Sequence, residues 1–193
     1  LRAIHLNRPQ LERMLPEVPL FDDLPPPSLL AAFKESLQRM GGLFLEPPAS
    51  GDPLAPVRAK IADAQVVCST LPEIAGNRDI AGVQTSQELA DVDFAIVRAS
   101  FAVAETGSIL LSEANLRVNA VAYLAQHLIV LLDPADIVIN LHHAYRRPEF
   151  RDRRYAAFHT GPSATADIEG VLIHGAQGVR SLSVLPAPLV SGN

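Results

Sequence analysis

The run from His127 to Leu132, HLIVLL, places the tightest constraint on the fold. A strand with one wet face alternates apolar and polar residues, and this one does not alternate. A strand that is apolar throughout must be covered on both faces, which is the situation inside a parallel sheet flanked by helices. Gln65–Cys68, Phe94–Arg98 and Ser181–Leu185 read as further strands. Between them lie helical patterns. Ser28 caps a predicted helix whose stripe is Leu29, Phe33, Leu37 and Met40, closed by Gly41-Gly42. Asp52–Ala64 makes a second through Val57 and Ile61, and the stretch after Arg117 a third through Val121 and Leu124. Asp133-Pro134-Ala135-Asp136 has the chemistry of a helix start, and the predicted helix runs to Arg146 or Arg147, where Pro148 stops it. Leu71–Val83, broken by Pro72, Gly76, Asn77 and Gly82, reads as a surface loop. The predicted class is α/β, three layers with a mostly parallel central sheet.

The 193 residues, 48% hydrophobic and 19% charged, suit one good-sized core. The predicted division is an N-terminal arm, residues 1–27, and one domain, residues 28–193. The arm holds six of the 16 prolines and no sustained period. A net charge of −5 and a pI near 5.6 argue against nucleic acid as main partner, because neutralising phosphates needs a basic surface. The cluster Arg146, Arg147, Arg151, Arg153, Arg154 is expected to be a solvated loop. No apolar run is long enough to span a bilayer, and no signal-peptide core stands near Leu1, so the expected compartment is the cytoplasm. A single cysteine excludes an intrachain disulfide and cannot alone supply the four ligands of an iron–sulfur cluster. No cofactor is expected on this chain by itself. Cys68, in Val66-Val67-Cys68, is expected to be a buried core thiol. His142 and His143 are neighbours on a predicted helix and point about 100° apart, so no metal site is expected.

Two turns carry the candidate chemistry. In the stretch from Tyr155 to Gly178, Tyr155–Thr160 is extended, Gly161-Pro162 turns the chain, and Ser163 or Thr165 can cap a helix beginning near Ala164. Free N–H groups at such a helix start could cradle a small carboxylate or phosphate. Asp167 and Glu169 would lie in its first turns, where acids stabilise a helix; Asp167 is also a candidate catalytic carboxylate. The second turn is Glu105-Thr106-Gly107, framed by apolar segments. Glu105 can be a base or nucleophile, or a structural acceptor for backbone N–H groups, and both readings stay open. Thr106 would add a hydroxyl and Gly107 an unobstructed backbone approach. Ligands of open α/β sheets sit at the C-terminal ends of the strands, so the two turns are expected to face one crevice. A carboxylate beside a bound anion needs a positive partner, and Arg117, His127 and His174 are the candidates. For Arg117 and His127 the alternatives are a surface arginine and a satisfied core histidine.

Three segments, Ala104-Glu105-Thr106-Gly107-Ser108, Gln126-His127-Leu128-Ile129-Val130 and Gly161-Pro162-Ser163-Ala164-Thr165-Ala166-Asp167-Ile168-Glu169, together resemble the lactate-utilisation protein C family, the LutC/YkgG-like or LUD-domain proteins. The likeness runs from about Ser28 to Leu185. It implies a fold similar to the NagB/RpiA/CoA-transferase group and a role beside iron–sulfur subunits in oxidising L-lactate to pyruvate. Two alternatives stand beside that role: a stand-alone acyl- or CoA-transferase-like enzyme using Glu105, as coenzyme A transferases of the same fold group use a glutamate, or a non-catalytic small-molecule-binding scaffold. The sequence departs from the family where a G-x-H-G-P segment is usual. Gly175-Ala176-Gln177-Gly178-Val179 stands there, so Gln177 replaces an imidazole, with His174 three positions earlier.

Overall fold

The structure is a computed structural model that describes residues 7, 16–167, 170–175 and 177–189. Its centre is a five-stranded parallel sheet. In chain order the strands are β1 (Leu43–Phe44), β2 (Val67–Ser69), β3 (Phe94–Arg98), β6 (His127–Leu132) and β11 (Ser181–Pro186), arranged β1-β11-β6-β3-β2. Phe94, His127 and Ser181 stand side by side at the amino end. Successive residues of β3, β6 and β11 feed two different cores. Ala95, Val97, Leu128, Val130, Leu182 and Val184 pack with Phe33 and Leu37, while Ile96, Ile129, Leu131 and Leu185 pack with Val57 and Ile74. Burial on both sides is why these strands lack alternation.

A second sheet, strand order β7-β4-β5-β8, is built from β4 (Phe101–Val103), β5 (Ser108–Ser112), β7 (Ile137–Val138) and β8 (Ala156–His159). It is mixed: β4 is antiparallel to β5 and parallel to β7, and β5 is antiparallel to β8. Ala102, Ile109 and Leu111 join the first core, and Phe101, Val103 and Leu110 join a third cluster with Ala144. Helix α1 (Leu29–Arg39) starts as predicted, with the Ser28 hydroxyl accepting from Ala31 N at 3.2 Å. Its buried face is Phe33, Ser36 and Leu37, and Met40 is exposed. Helix α2 is confined to Ala55–Lys60, and α3 (Glu113–Leu116) and α4 (Val121–Leu124) are single turns.

Two predicted helices are absent. Asp133 does cap, accepting from Ala135 N at 2.9 Å, but only a short 3-10 turn, Pro134–Asp136, follows. The β-branched Ile137 and Val138 then pair with Ala102 and Val103, and Asn140 caps a new helix, α5 (Leu141–Ala144), accepting from His143 N at 3.1 Å. Pro148 opens α6 (Pro148–Arg151) at its first position, where a missing N–H costs nothing. Arg147 is no solvated loop residue: its guanidinium pairs with Asp136 and Glu149 and lies 5.3 Å from the Phe101 ring centre. The second absent helix is the one expected from Ala164. There β9 (Ala164–Thr165) pairs antiparallel with β10 (Ile173–His174). The helix-start cradle is thereby lost. Glu169 lies outside the described residues.

Candidate functional site

Both candidate turns stand at one end of the mixed sheet. Gly107 N donates to Val103 O at 3.0 Å and closes the β4–β5 turn containing Glu105. β8 ends beside the start of β5, with His159 opposite Ile109, and Thr160-Gly161 follows. The turns therefore belong to the mixed sheet, not to the strand ends of the parallel one. What joins them is a chain of hydroxyls: Thr106 Oγ1 and Ser108 Oγ are 2.7 Å apart, and Ser108 Oγ and Thr160 Oγ1 2.6 Å.

The end of α1 fits against both turns. Gly107 (φ +68°) and Gly161 (φ +72°) adopt the left-handed region, and a Cβ on either would collide with α1 backbone, at Ser36–Leu37 and at the Met40 carbonyl respectively. Glycine at these positions is thus what lets helix and sheet close on each other. Ser36, buried on that face, donates its hydroxyl to Glu105 O at 3.2 Å.

Between α1 and the sheet end lies a two-lobed cleft. Its lobes, about 620 and 570 Å³, share Ser36, Arg39 and Glu105. Asn140, His142 and Ile139 line the first lobe, with Phe21, Leu24 and Pro26 of the arm; Thr106, Ser108, Tyr145, Phe158 and Thr160 line the second. The arm is therefore a wall of the cleft. Asn140 Nδ2 donates to Leu20 O (2.7 Å) and Phe21 O (3.1 Å), His143 meets Asp22 at 3.1 Å, and the Phe21 ring lies 4.8 Å from that of His142, tilted by 50°.

Glu105 is exposed at the mouth of the cleft. Its Oε2 accepts from Leu141 N at 3.2 Å, at the start of α5, and its own N–H donates to Ile139 O at 3.1 Å. The cation that lines both lobes is Arg39, from the last turn of α1; its guanidinium is paired through Nη2 with Glu35, 2.9 Å away, which also lines the first lobe. None of the three expected cations lines this cleft. Arg117 is exposed, capping α3 with a left-handed φ of 59°. His127 is at the amino edge of the parallel sheet, lining a different cavity with Lys60 and Arg180, bonded through Nδ1 to Ser181 Oγ at 2.8 Å, and its pKa is lowered by burial and by Lys60 and Arg180. His174 is exposed on β10, near Gly41.

Ser163 lies outside the Glu105 cleft. It and Gly161 line a smaller neighbouring cavity of about 220 Å³, which shares Phe158 and Thr160 with the second lobe and also borders Tyr123, His159 and Gln177. Thr165 Oγ1 donates to Asp167 Oδ2 at 3.0 Å in an exposed turn, and neither residue lines a described cavity. Sequence reasoning missed Arg39 and His159. The signals were an arginine three residues after a serine on the buried face of α1, and a histidine inside the strand before Gly161.

The solved structure of a DUF162 family protein from Deinococcus radiodurans is similar, with a TM-score of 0.59 and 17% sequence identity over 81% of this chain and 94% of that one. At that identity the likeness speaks for the α/β fold alone. Nothing among curated proteins matches the chain. Among the described residues no helix is long and apolar enough to cross a membrane. The profile of the LUD domain matches residues 58–185, which take in the mixed sheet, every strand of the parallel sheet but β1, and the Glu105 and Gly161 turns. The chain belongs to the LUD domain family, a family associated with lactate utilisation.

Proposed function

We propose that this chain is a lactate-utilisation protein C-like subunit that works beside iron–sulfur proteins in the oxidation of L-lactate to pyruvate, and that the Arg39–Glu105 cleft holds the small carboxylate. The observation that carries the reading is that Arg39 and Glu105 line one cleft beside a row of hydroxyls, with Glu35, a second carboxylate of the first lobe, paired to the Arg39 guanidinium. Lactate has the matching halves. Its carboxylate suits a planar guanidinium fork, and its 2-hydroxyl can donate to the Glu105 carboxylate, so the two negative groups need not meet. Thr106 and Ser108 offer further hydroxyls on the wall of the second lobe. Oxidation removes two electrons; in this reading iron–sulfur partner subunits receive them, since one cysteine cannot supply a cluster's ligands.

Calorimetric titration of the purified chain with L-lactate tests the binding. Arg39→Gln should weaken the affinity at least tenfold, about 1.4 kcal/mol. Unchanged affinity in this variant, or no lactate binding by the wild-type chain, removes the cleft from the reading.

A further inference from the structure

A cavity of about 400 Å³ at the amino end of the parallel sheet shares no lining residue with the Arg39–Glu105 cleft. Three parts of the chain bring basic groups to it. Lys60 closes α2, His127 opens β6, and Arg180 stands just before β11. Lys60 alone would be ordinary, since cations favour helix ends. Its meeting with an arginine and an imidazole from other elements is made by the tertiary fold.

The His127 ring is held from two sides, by Ser181 Oγ on Nδ1 at 2.8 Å and by the Phe94 ring, 4.8 Å away and tilted by 30°. Its Nε2 meets no hydrogen-bond partner among the described residues and, unlike that of His159, is not a shielded atom. Two carboxylates also border the cavity. Asp93 Oδ2 accepts from Gln65 N at 2.8 Å and Val66 N at 2.9 Å, and Asp63 is exposed. Among the described residues neither carboxylate forms an ion pair with Lys60 or Arg180. The charge felt at the imidazole is accordingly positive: burial lowers its pKa most, Lys60 and Arg180 add to the lowering, and Asp93 offsets them least. Cations gathered around a half-buried ring repel one another and disfavour its protonation, and an anion placed among them reverses both effects.

We propose that this cavity binds a phosphate group, held by Lys60, Arg180 and the His127 Nε2, either as the free ion or as the ester of a small hydroxylated molecule. Two fixed cations and an imidazole N–H match a group with two charges and several acceptor oxygens better than they match a single carboxylate. The cavity has room beyond a bare phosphate, and there the Gln65 and Gln126 amides and the Asp63 carboxylate are the groups that ester hydroxyls would meet. The proposal does not depend on what the Arg39–Glu105 cleft binds.

Inorganic phosphate is the probe, titrated at pH 7 against chloride of equal ionic strength so that general screening cancels. With the ring nitrogens followed by 15N NMR, the His127 resonances should move saturably towards their protonated positions, while those of His142 and His143 beside the first cleft stay in place. Lys60→Gln and Arg180→Gln, neither of which breaks an ion pair among the described residues, should each weaken the response at least about tenfold with the thermal transition kept, as loss of a charge-assisted hydrogen bond requires. Glycerol 3-phosphate, run in parallel, separates the two sources: tighter binding than phosphate identifies an ester, and binding no tighter identifies the free ion. The proposal fails if the His127 shift does not saturate, if chloride reproduces it, if all histidines move together, or if either folded variant keeps the wild-type affinity. Lactate binding in the first cleft is read in a separate titration, so either result can stand without the other.

Discussion

His159 links a buried ring nitrogen to the acid stability of the molecule. In the unfolded chain its pKa returns to the ordinary 6.5, whereas burial holds it near 4 in the fold. Between those values the unfolded state binds a proton that the folded state refuses. Stability from this residue is therefore complete above about pH 6.5 and is lost as pH falls towards 4, by at most about 3 kcal/mol. His127, lowered by burial and by Lys60 and Arg180, acts in the same direction, so some loss remains without His159. Urea unfolding at pH 7 and pH 4.5 is the measurement. His159→Phe keeps a ring against Tyr123 but cannot titrate, and it should lose clearly less stability over that interval than the wild-type protein. Equal losses would mean that His159 is reached by solvent in the fold. A histidine within Tyr155–Thr160 was visible in the sequence, but its environment was not, because it depends on α4 and on the loop before β11.

Among the elements, local chemistry sufficed wherever a segment's partners did not matter to its shape. β3 and β6 fall where the apolar runs place them, and the Ser28 cap starts α1 as expected. It failed where tertiary pairing overrode a helix signal. Ile137-Val138 takes an open strand position beside β4, and Ala164-Thr165 pairs with Ile173-His174, although both were preceded by good cap residues. The arm shows the same limit. Proline content and missing periodicity set residues 1–27 apart as an arm, and only the structure sets Phe21, Leu24 and Pro26 against the cleft. Among its described residues, 7 and 16–27, the attachments are hydrogen bonds from Asn140 and Arg146, an ion pair of Asp22 with His143 and one ring contact, and none of these residues belongs to the three apolar cores. Removing residues 1–27 should therefore leave a cooperative urea transition, shifted by about 1–3 kcal/mol. Lactate affinity should fall more than this shift implies, since one wall of the site goes with the arm. Loss of the cooperative transition would place the arm in the core, and unchanged affinity would show that the wall makes no contact with ligand.

For the whole molecule the question is whether Glu105 serves the fold or the reaction. Three contacts tie its residue into the architecture: Ser36 Oγ on its carbonyl, Ile139 O on its N–H, and Leu141 N on Oε2. The first two are made by the backbone and survive any side-chain change. The third needs only an oxygen acceptor, which the amide of glutamine also supplies. Glu105→Gln should consequently lower stability by no more than about 1 kcal/mol, the scale of one net hydrogen bond. The charge is a different matter. If the lactate hydroxyl donates to this carboxylate, the amide is a weaker acceptor and cannot take the proton that oxidation releases. In a system reconstituted with its iron–sulfur partners, Glu105→Gln should then depress lactate-dependent turnover at least a hundredfold, the lower end of what a positioned base contributes. Arg39→Gln should act on the substrate concentration needed for half-maximal rate, because a guanidinium that only holds the carboxylate contributes to both ground and transition states. A pair of variants that both fold, one losing turnover and the other affinity, assigns Glu105 to the reaction and Arg39 to binding. Turnover undiminished in Glu105→Gln would leave this carboxylate as the acceptor for Leu141 N and no more.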